Sequence, residues 1–355
     1  MQNESLQNRS IYHDLLRILS TFAVICIHVC AESLTWKQEN FSSSTWFFLN
    51  IFNSISRFSV PVFVMLSGSF MIEKFKKSDL KKLYTKNILH LVCSFVFWSA
   101  AYIAVDVVKN LFIEQPPIVV SEMIGNLIKG EFHLWFIPMI VFLYATTPLI
   151  CKICDNTRNE RYFLILSSVP IVFNFINNYV PLESVTNLFE NAGMQFVSGY
   201  TVYYVLGHYL TKYDISKKYR AVVYLLAVIS VFVTVVLAYR DYVYALKDTS
   251  YVYEYMSPNV LLVSVSVFIL FKYGVSRIKF KERTTKFVVK LSSLTFGIYL
   301  THIIFLKTIY VLTPISVESI HPVISVPLLI ALVFIASAIT TYVISKIPIL
   351  KKYII

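Results

Sequence analysis

Arg17 and His28 lie eleven residues apart in one long apolar run. Eleven helical steps of about 100° close to within about 20° of three full turns, so the two side chains share a helix face about 16 Å apart along the axis. A guanidinium at the mouth of a membrane-depth helix suits an anionic, phosphate-bearing molecule. An imidazole deeper on the same face suits proton transfer to a group that reaches it. The pair also has a plainer use, with Arg17 snorkelling to lipid headgroups and His28 a hydrogen-bonded interior residue. Arg57 enters the next apolar run from the opposite side and lies near the depth of His28, with no acidic neighbour in sequence to neutralise it. It could hold an anionic group, stabilise charge developing on an oxyanion, or bond backbone carbonyls as a structural cation.

Further candidates are fewer than in a soluble chain. His133 and Trp135, in Phe132-His133-Leu134-Trp135-Phe136, begin the fourth run at the outer surface. There an aromatic beside a polar group suits a sugar ring or lipid headgroup, or forms an ordinary interfacial belt. Tyr299 and His302 are an i, i+3 pair on one face of the ninth run, either lining a cavity or satisfied in a core. His90 and His208 fall near span ends and read as structural. No Asp or Glu lies near the middle of a run, which removes the buried carboxylates that ion-coupled carriers use. Cys26 and Cys30 are four apart, and Cys151-Lys-Ile-Cys154 is a C-x-x-C without a second metal-ligand pair, so free thiols are expected and no metal. A Ser nucleophile elbow, a Gly-rich phosphate loop and a zinc-binding H-E-x-x-H are all missing from the sequence.

These residues need a membrane bundle to position them. Of the 355 residues 57% are apolar and only 15% charged, against roughly 25% charged in an ordinary globular chain. Ten mostly apolar runs are long enough to span, at about 15–34, 46–72, 88–112, 132–150, 161–180, 193–211, 219–239, 258–273, 288–311 and 323–345. The second is long enough to tilt or break, and the eighth is short. With the N-terminus cytoplasmic, 25 of the 32 Lys and Arg residues fall in the inner segments, the bias that sets topology in inner membranes. The net charge of +12 is therefore a topology signal and not a nucleic-acid-binding surface. The expected fold is an all-α integral membrane protein: one transmembrane domain over residues 1–355, a bundle of about ten helices, with N- and C-termini cytoplasmic. The first run carries Arg17 and His28 and no small-residue cleavage site, so it is expected to remain as a helix.

At the level of motifs the chain resembles the acyltransferase 3 family of bacterial integral membrane acyltransferases. Its short branch, the membrane O-acetyltransferases of surface-polysaccharide assembly, is the most similar. The resemblance rests on five blocks in order: Arg17-x10-His28; Ser56-Arg57 with Pro61 and Ser67-Gly68; His133-Leu-Trp135-Phe136 with Tyr144 and Pro148; Tyr203-Tyr204-Val-Leu-Gly207; and Phe296-Gly297-Ile-Tyr299-Leu-Thr-His302. It implies transfer of an acyl group, usually acetyl from cytoplasmic acetyl-CoA, to a hydroxyl of a cell-surface or lipid-linked glycan. The setting it implies is the bacterial cytoplasmic membrane, multi-pass. It places His28 at the catalytic centre, as general base or transient acyl carrier, with Arg17 and Arg57 as catalytic partners. Arg17, Asp14, Lys82 and Lys86 would meet acyl-CoA; the family often carries Arg where this chain has those two lysines. His133, Trp135, Tyr299 and His302 would meet the acceptor. No extracytoplasmic hydrolase-like domain is expected after the tenth span, so the membrane domain or a partner completes the transfer. Two other classes fit ten helices with mid-membrane cations: a carrier or flippase for a glycan or lipid intermediate, and a ligand-sensing module without turnover.

Arg17→Ala is expected to weaken acetyl-CoA binding measured by calorimetry; unchanged affinity would remove its phosphate role.

Overall fold

The computed structural model describes residues 10–36, 43–112, 120–180, 199–244 and 251–355. Among the described residues every regular element is helical. α1 is Ile11–Trp36. The second apolar run does break, into α2 (Ser43–Ser56) and α3 (Ser59–Lys76), with Arg57 in the break. A short turn Leu80–Lys82, capped by the Asp79 carboxylate, and a π-helical stretch Leu83–Ile88 lead into α4 (Leu89–Phe112). α5 (Val120–Lys129) is followed by a 3₁₀ turn, Phe132–Trp135, that opens α6 (Phe136–Ile153). Then come α7 (Thr157–Tyr179), α8 (Thr201–Lys212), α9 (Lys217–Val243), α10 (Pro258–Tyr273), α11 (Glu282–Leu312), α12 (Pro322–Ile344) and α13 (Pro348–Tyr353).

Nine helical segments among the described residues are long and apolar enough to cross a membrane, against an expected ten. The difference is the sixth expected span, 193–211: residues 193–198 lie outside the described residues, and α8, only 12 residues long, is the part described. α1 is central, packing against α2, α3, α10, α11 and α12.

Burial runs opposite to a soluble protein. Leu149, Ile165, Val228 and Phe232 are exposed, while Asn50, Asn53, Asn259, Ser264 and His302 are buried. Apolar side chains face out because lipid is as apolar as they are, and polar ones face in, where they find partners. Asn50 donates to the Val235 carbonyl (2.9 Å) and accepts from Tyr253 (2.5 Å); Asn259 donates to Thr234 and to the Val252 carbonyl, both at 2.8 Å. These bonds stitch α2, α9 and α10 together. Lys272 reaches across to the α8 C-terminus and donates to the carbonyls of Leu210 (2.9 Å) and Tyr213 (2.8 Å). It satisfies orphan acceptors there and complements the negative end of the helix dipole.

The tightest joint is between α3 and α8. A Cβ built on Gly68 would fall on the Tyr204 carbonyl, and one on Gly207 would fall on the Met65 carbonyl. Each helix thus offers a glycine to the other's backbone, the small-residue device that lets membrane helices touch. The contact fixes α3, whose Val60, Phe63 and Ser67 line the cavity beside α1. Gly207→Ala should force the helices apart at a cost of about 1–3 kcal/mol, seen as a fall of several degrees in melting temperature in detergent. Gly125→Ala on α5, where an added Cβ meets nothing within 4 Å, should leave melting unchanged.

Candidate functional site: three histidines between two cavities

α1, α11 and the 3₁₀ turn before α6 bring three imidazoles together. The ring centroids of His28 and His302 are 5.1 Å apart, those of His133 and His302 5.1 Å, and those of His28 and His133 6.3 Å. Tyr299, one turn before His302 on α11, donates from its hydroxyl to the His133 carbonyl at 2.5 Å and so locks the turn against α11. The expectation that His133 sits at the outer surface is corrected: it is 2% exposed, while Trp135 is 39% exposed. The tight 3₁₀ turn aims the first side chain into the bundle and the second out of it.

Hydrogen bonds set the protonation pattern. His302 Nδ1 lies 2.6 Å from the Tyr299 carbonyl. A carbonyl only accepts, so Nδ1 carries the proton and Nε2 is left as a bare lone pair. The Tyr102 hydroxyl donates to the Leu300 carbonyl at 2.9 Å, so toward His133 Nε2, at 3.4 Å, its oxygen can only accept. His133 therefore carries its proton on Nε2, and Nδ1 is bare. Both bare nitrogens are buried with no partner among the described residues. His28 is half-buried, its ring nearer to that of His302 than to that of His133. The arrangement is one of proton acceptors waiting for a donor, as needed to take a proton from a hydroxyl.

Two cavities lie among the helices that carry the trio. The first, about 210 Å³, runs from Arg17 past Val24, Phe63, Ser67 and Tyr144 to Tyr299, whose ring centroid is 5.9 Å from that of His302. At its mouth Arg17 pairs with Asp14 at 3.6 Å and lies over the Phe70 ring at 4.7 Å. Asp14 is buried and accepts a bond from Ser292 at 2.7 Å, so it anchors the arginine. Lys82 and Lys86 are exposed on the turn and the π-helical stretch and do not line this cavity. The second cavity, about 280 Å³, is polar: Tyr102, Asp106, Lys129, Glu131, Phe132 and Lys307 line it, with Lys307 bonded to Glu131 at 3.1 Å. Phe132 also meets His28, ring to ring, at 5.4 Å. α4 contributes Leu91 to the first cavity and Tyr102 to the second; α11 contributes Thr295 to the first and Lys307 to the second. The cavities are therefore stacked along the bundle axis, and on α11 His302 lies between Tyr299, which lines the first, and Lys307, which lines the second.

Arg57 finds one partner a helical turn away and another far away in sequence. It donates to Asn53 Oδ1 at 2.8 Å and to the Tyr253 carbonyl at 3.4 Å, and its guanidinium lies 4.5 Å from the Tyr253 ring and 6.0 Å from that of Tyr255. Its Nε remains buried without a partner. The Tyr255 ring also faces Trp135 at 6.1 Å, and Tyr200 faces Trp135 at 5.5 Å, giving an aromatic wall with a cation at its edge. His28, His133, Tyr299 and His302 are thus brought together, Arg57 and Trp135 share the wall, and Arg17 with Asp14 stands at the far end of the first cavity. Sequence reasoning missed Tyr102, Tyr200, Tyr253 and Tyr255, since 24 tyrosines in one chain give no reason to single these out.

A family model described as an acyltransferase domain matches residues 10–345. The chain belongs to the acyltransferase 3 family. Relatives from Staphylococcus aureus strains MSSA476, MRSA252 and N315 bear the name "probable poly-beta-1,6-N-acetyl-D-glucosamine export protein". Each is 22% identical over 306 residues, covering 84% of this chain and 83% of the relative. No solved structure matches the chain. With nine spanning helices among the described residues, this member of the family is a multi-pass membrane protein.

Tyr299→Phe keeps the ring and removes the bond to the His133 carbonyl. It should cost about 1 kcal/mol, read as a melting temperature a few degrees lower with the purified yield unchanged.

Proposed function

We propose that the protein is a membrane O-acyltransferase that moves an acyl group, acetyl foremost, from cytoplasmic acyl-CoA to a hydroxyl of a cell-surface or lipid-linked glycan. One observation carries this reading: the His28 ring packs 5.1 Å from that of His302 and 6.3 Å from that of His133, each of which keeps a buried bare nitrogen, and His302 lies on α11 between Tyr299, in the cavity that begins at an arginine, and Lys307, in the polar cavity. In this reading the protein sits in the plasma membrane of a bacterium with the Arg17 end and both termini cytoplasmic, an orientation supported by the positive-inside count.

Arg17, held by Asp14, meets the phosphates of the donor as a fixed fork. The pantetheine arm lies along the apolar walls at Val24 and Phe63, and about 16 Å of helix separates Arg17 from His28. His28 takes the proton of the acceptor hydroxyl as that oxygen bonds to the thioester carbonyl carbon; the C–S bond then breaks, and the CoA sulfur leaves with the proton from His28. In a two-step version the imidazole itself takes the acyl group, then yields it to the hydroxyl. In either version His133 and His302 hold His28 and the hydroxyl in hydrogen-bonding reach, and Arg57 faces the negative charge on the carbonyl oxygen. Trp135, Tyr200 and Tyr255 offer apolar faces to a sugar ring, with Asp106, Glu131 and Lys307 for its polar edge. The relatives' name makes a β-linked N-acetylhexosamine polymer the first acceptor to try. That name also favours a second reading, export of the glycan without acyl transfer.

Purified protein in liposomes, given radiolabelled acetyl-CoA and candidate glycans, should produce labelled glycan, and His28→Ala should lower the rate by at least 100-fold while remaining folded. Full acetylation by His28→Ala overturns the role of His28. Glycan crossing the bilayer unlabelled, at equal rates with and without acetyl-CoA, establishes the export reading instead.

A further inference from the structure

A second cluster of chemically capable side chains lies away from the histidine trio, where the ends of four helices meet. Cys154, at the C-cap of α6, Glu160, in the first turn of α7, and His208, on α8, each offer one ligand atom, and the three atoms lie within 4.8 Å of one another. All three residues are buried, Cys154 and Glu160 completely. His208 Nδ1 is 2.7 Å from Glu160 Oε1, and its Nε2 is 2.7 Å from Glu73 Oε1 on α3. Glu160 Oε2 is fully enclosed and has no partner among the described residues. Cys154 is a free thiol.

We propose that Cys154 Sγ, Glu160 and His208 Nδ1 bind a divalent, thiophilic cation, zinc foremost, and that Glu73 orients His208 from behind. Geometry carries the argument: His208 faces two carboxylates at 2.7 Å, and Glu160 keeps a bare oxygen in a closed space, which is costly. With a doubly charged ion, the thiolate and Glu160 neutralise it, and Glu160 Oε2 lies within reach of the metal as a second oxygen. His208 becomes a neutral ligand that donates from Nε2 to Glu73, the carboxylate–histidine–metal arrangement that fixes ring and tautomer. Lys76, 3.2 Å from Glu73, balances that carboxylate in turn.

The donor set supports the choice of ion. Sulfur, imidazole and carboxylate together select zinc over the hard cations, which take oxygen alone. Metal–ligand lengths of about 2.0–2.3 Å put ligand atoms about 3–4 Å apart, so binding asks His208 Nδ1 and Glu160 to part slightly from 2.7 Å while the other atoms, all within 4.8 Å, draw in. The C-x-x-C spacing is misleading here. Cys151 does not join the three, because its thiol is turned to the Ile72 carbonyl at 3.6 Å. The true partners of Cys154 lie six and fifty-four positions later in sequence, which is why the sequence led to no metal. Bound here, the ion would tie α6, α7 and α8 together where α3 crosses them, and nothing in this proposal depends on the acyl-transfer reading.

Full-length protein in detergent, stripped with a chelator and re-equilibrated with micromolar zinc, should hold an equimolar amount by elemental analysis and melt several degrees higher than the stripped form. Cobalt in place of zinc should give a thiolate-to-metal charge-transfer band that is lost in Cys154→Ser and kept in Cys151→Ser. Folded wild-type protein that takes up neither zinc nor cobalt overturns the proposal, as does a charge-transfer band that survives Cys154→Ser. The wild-type measurement keeps the test decisive even if a ligand variant fails to fold.

Discussion

An imidazole buried without a partner is expensive in a membrane bundle, and this molecule gathers three in one place and leaves two of them short of a hydrogen bond. The rest of the site follows from that constraint. Tyr102 and Tyr299 are spent on holding His133 and its turn, and the Tyr299 carbonyl is spent on His302. What remains unspent is a pair of bare nitrogens on the two imidazoles that neighbour His28.

The helices around the trio do different physical work. α1 supplies the axis, with Arg17 and His28 on one face. α3 supplies a cavity wall and can do so only because Gly68 and Gly207 let it lie against the α8 backbone. α11 spans both cavities and carries Tyr299, His302 and Lys307 at successive depths. The break between α2 and α3 frees Arg57 from regular helix and lets it reach Asn53 and the Tyr253 carbonyl.

Periodicity made the first of these relations legible in the sequence, since the shared face of Arg17 and His28 needs only the helical repeat. The pairing of Tyr299 with His302 was legible for the same reason, and the break in the second long run was foreshadowed by its length. The burial of His133 was not, because a four-residue 3₁₀ turn rotates side chains differently from the α-helix that the apolar run suggested. Nor was the bond of Arg57 to the Tyr253 carbonyl, 196 residues away across the bundle, because no local pattern encodes which loop folds back on which helix. Lys82 and Lys86, named from the family resemblance, are exposed and do not line the Arg17 cavity.

The central claim is that the histidine trio joins a donor entering from one face of the membrane to an acceptor on the other. The direct measurement uses sealed proteoliposomes with labelled acetyl-CoA outside and the glycan either trapped inside or added outside with the donor. The account predicts labelled glycan when the two are on opposite sides and essentially none when both are on the same side. Equal labelling in the two arrangements would contradict it.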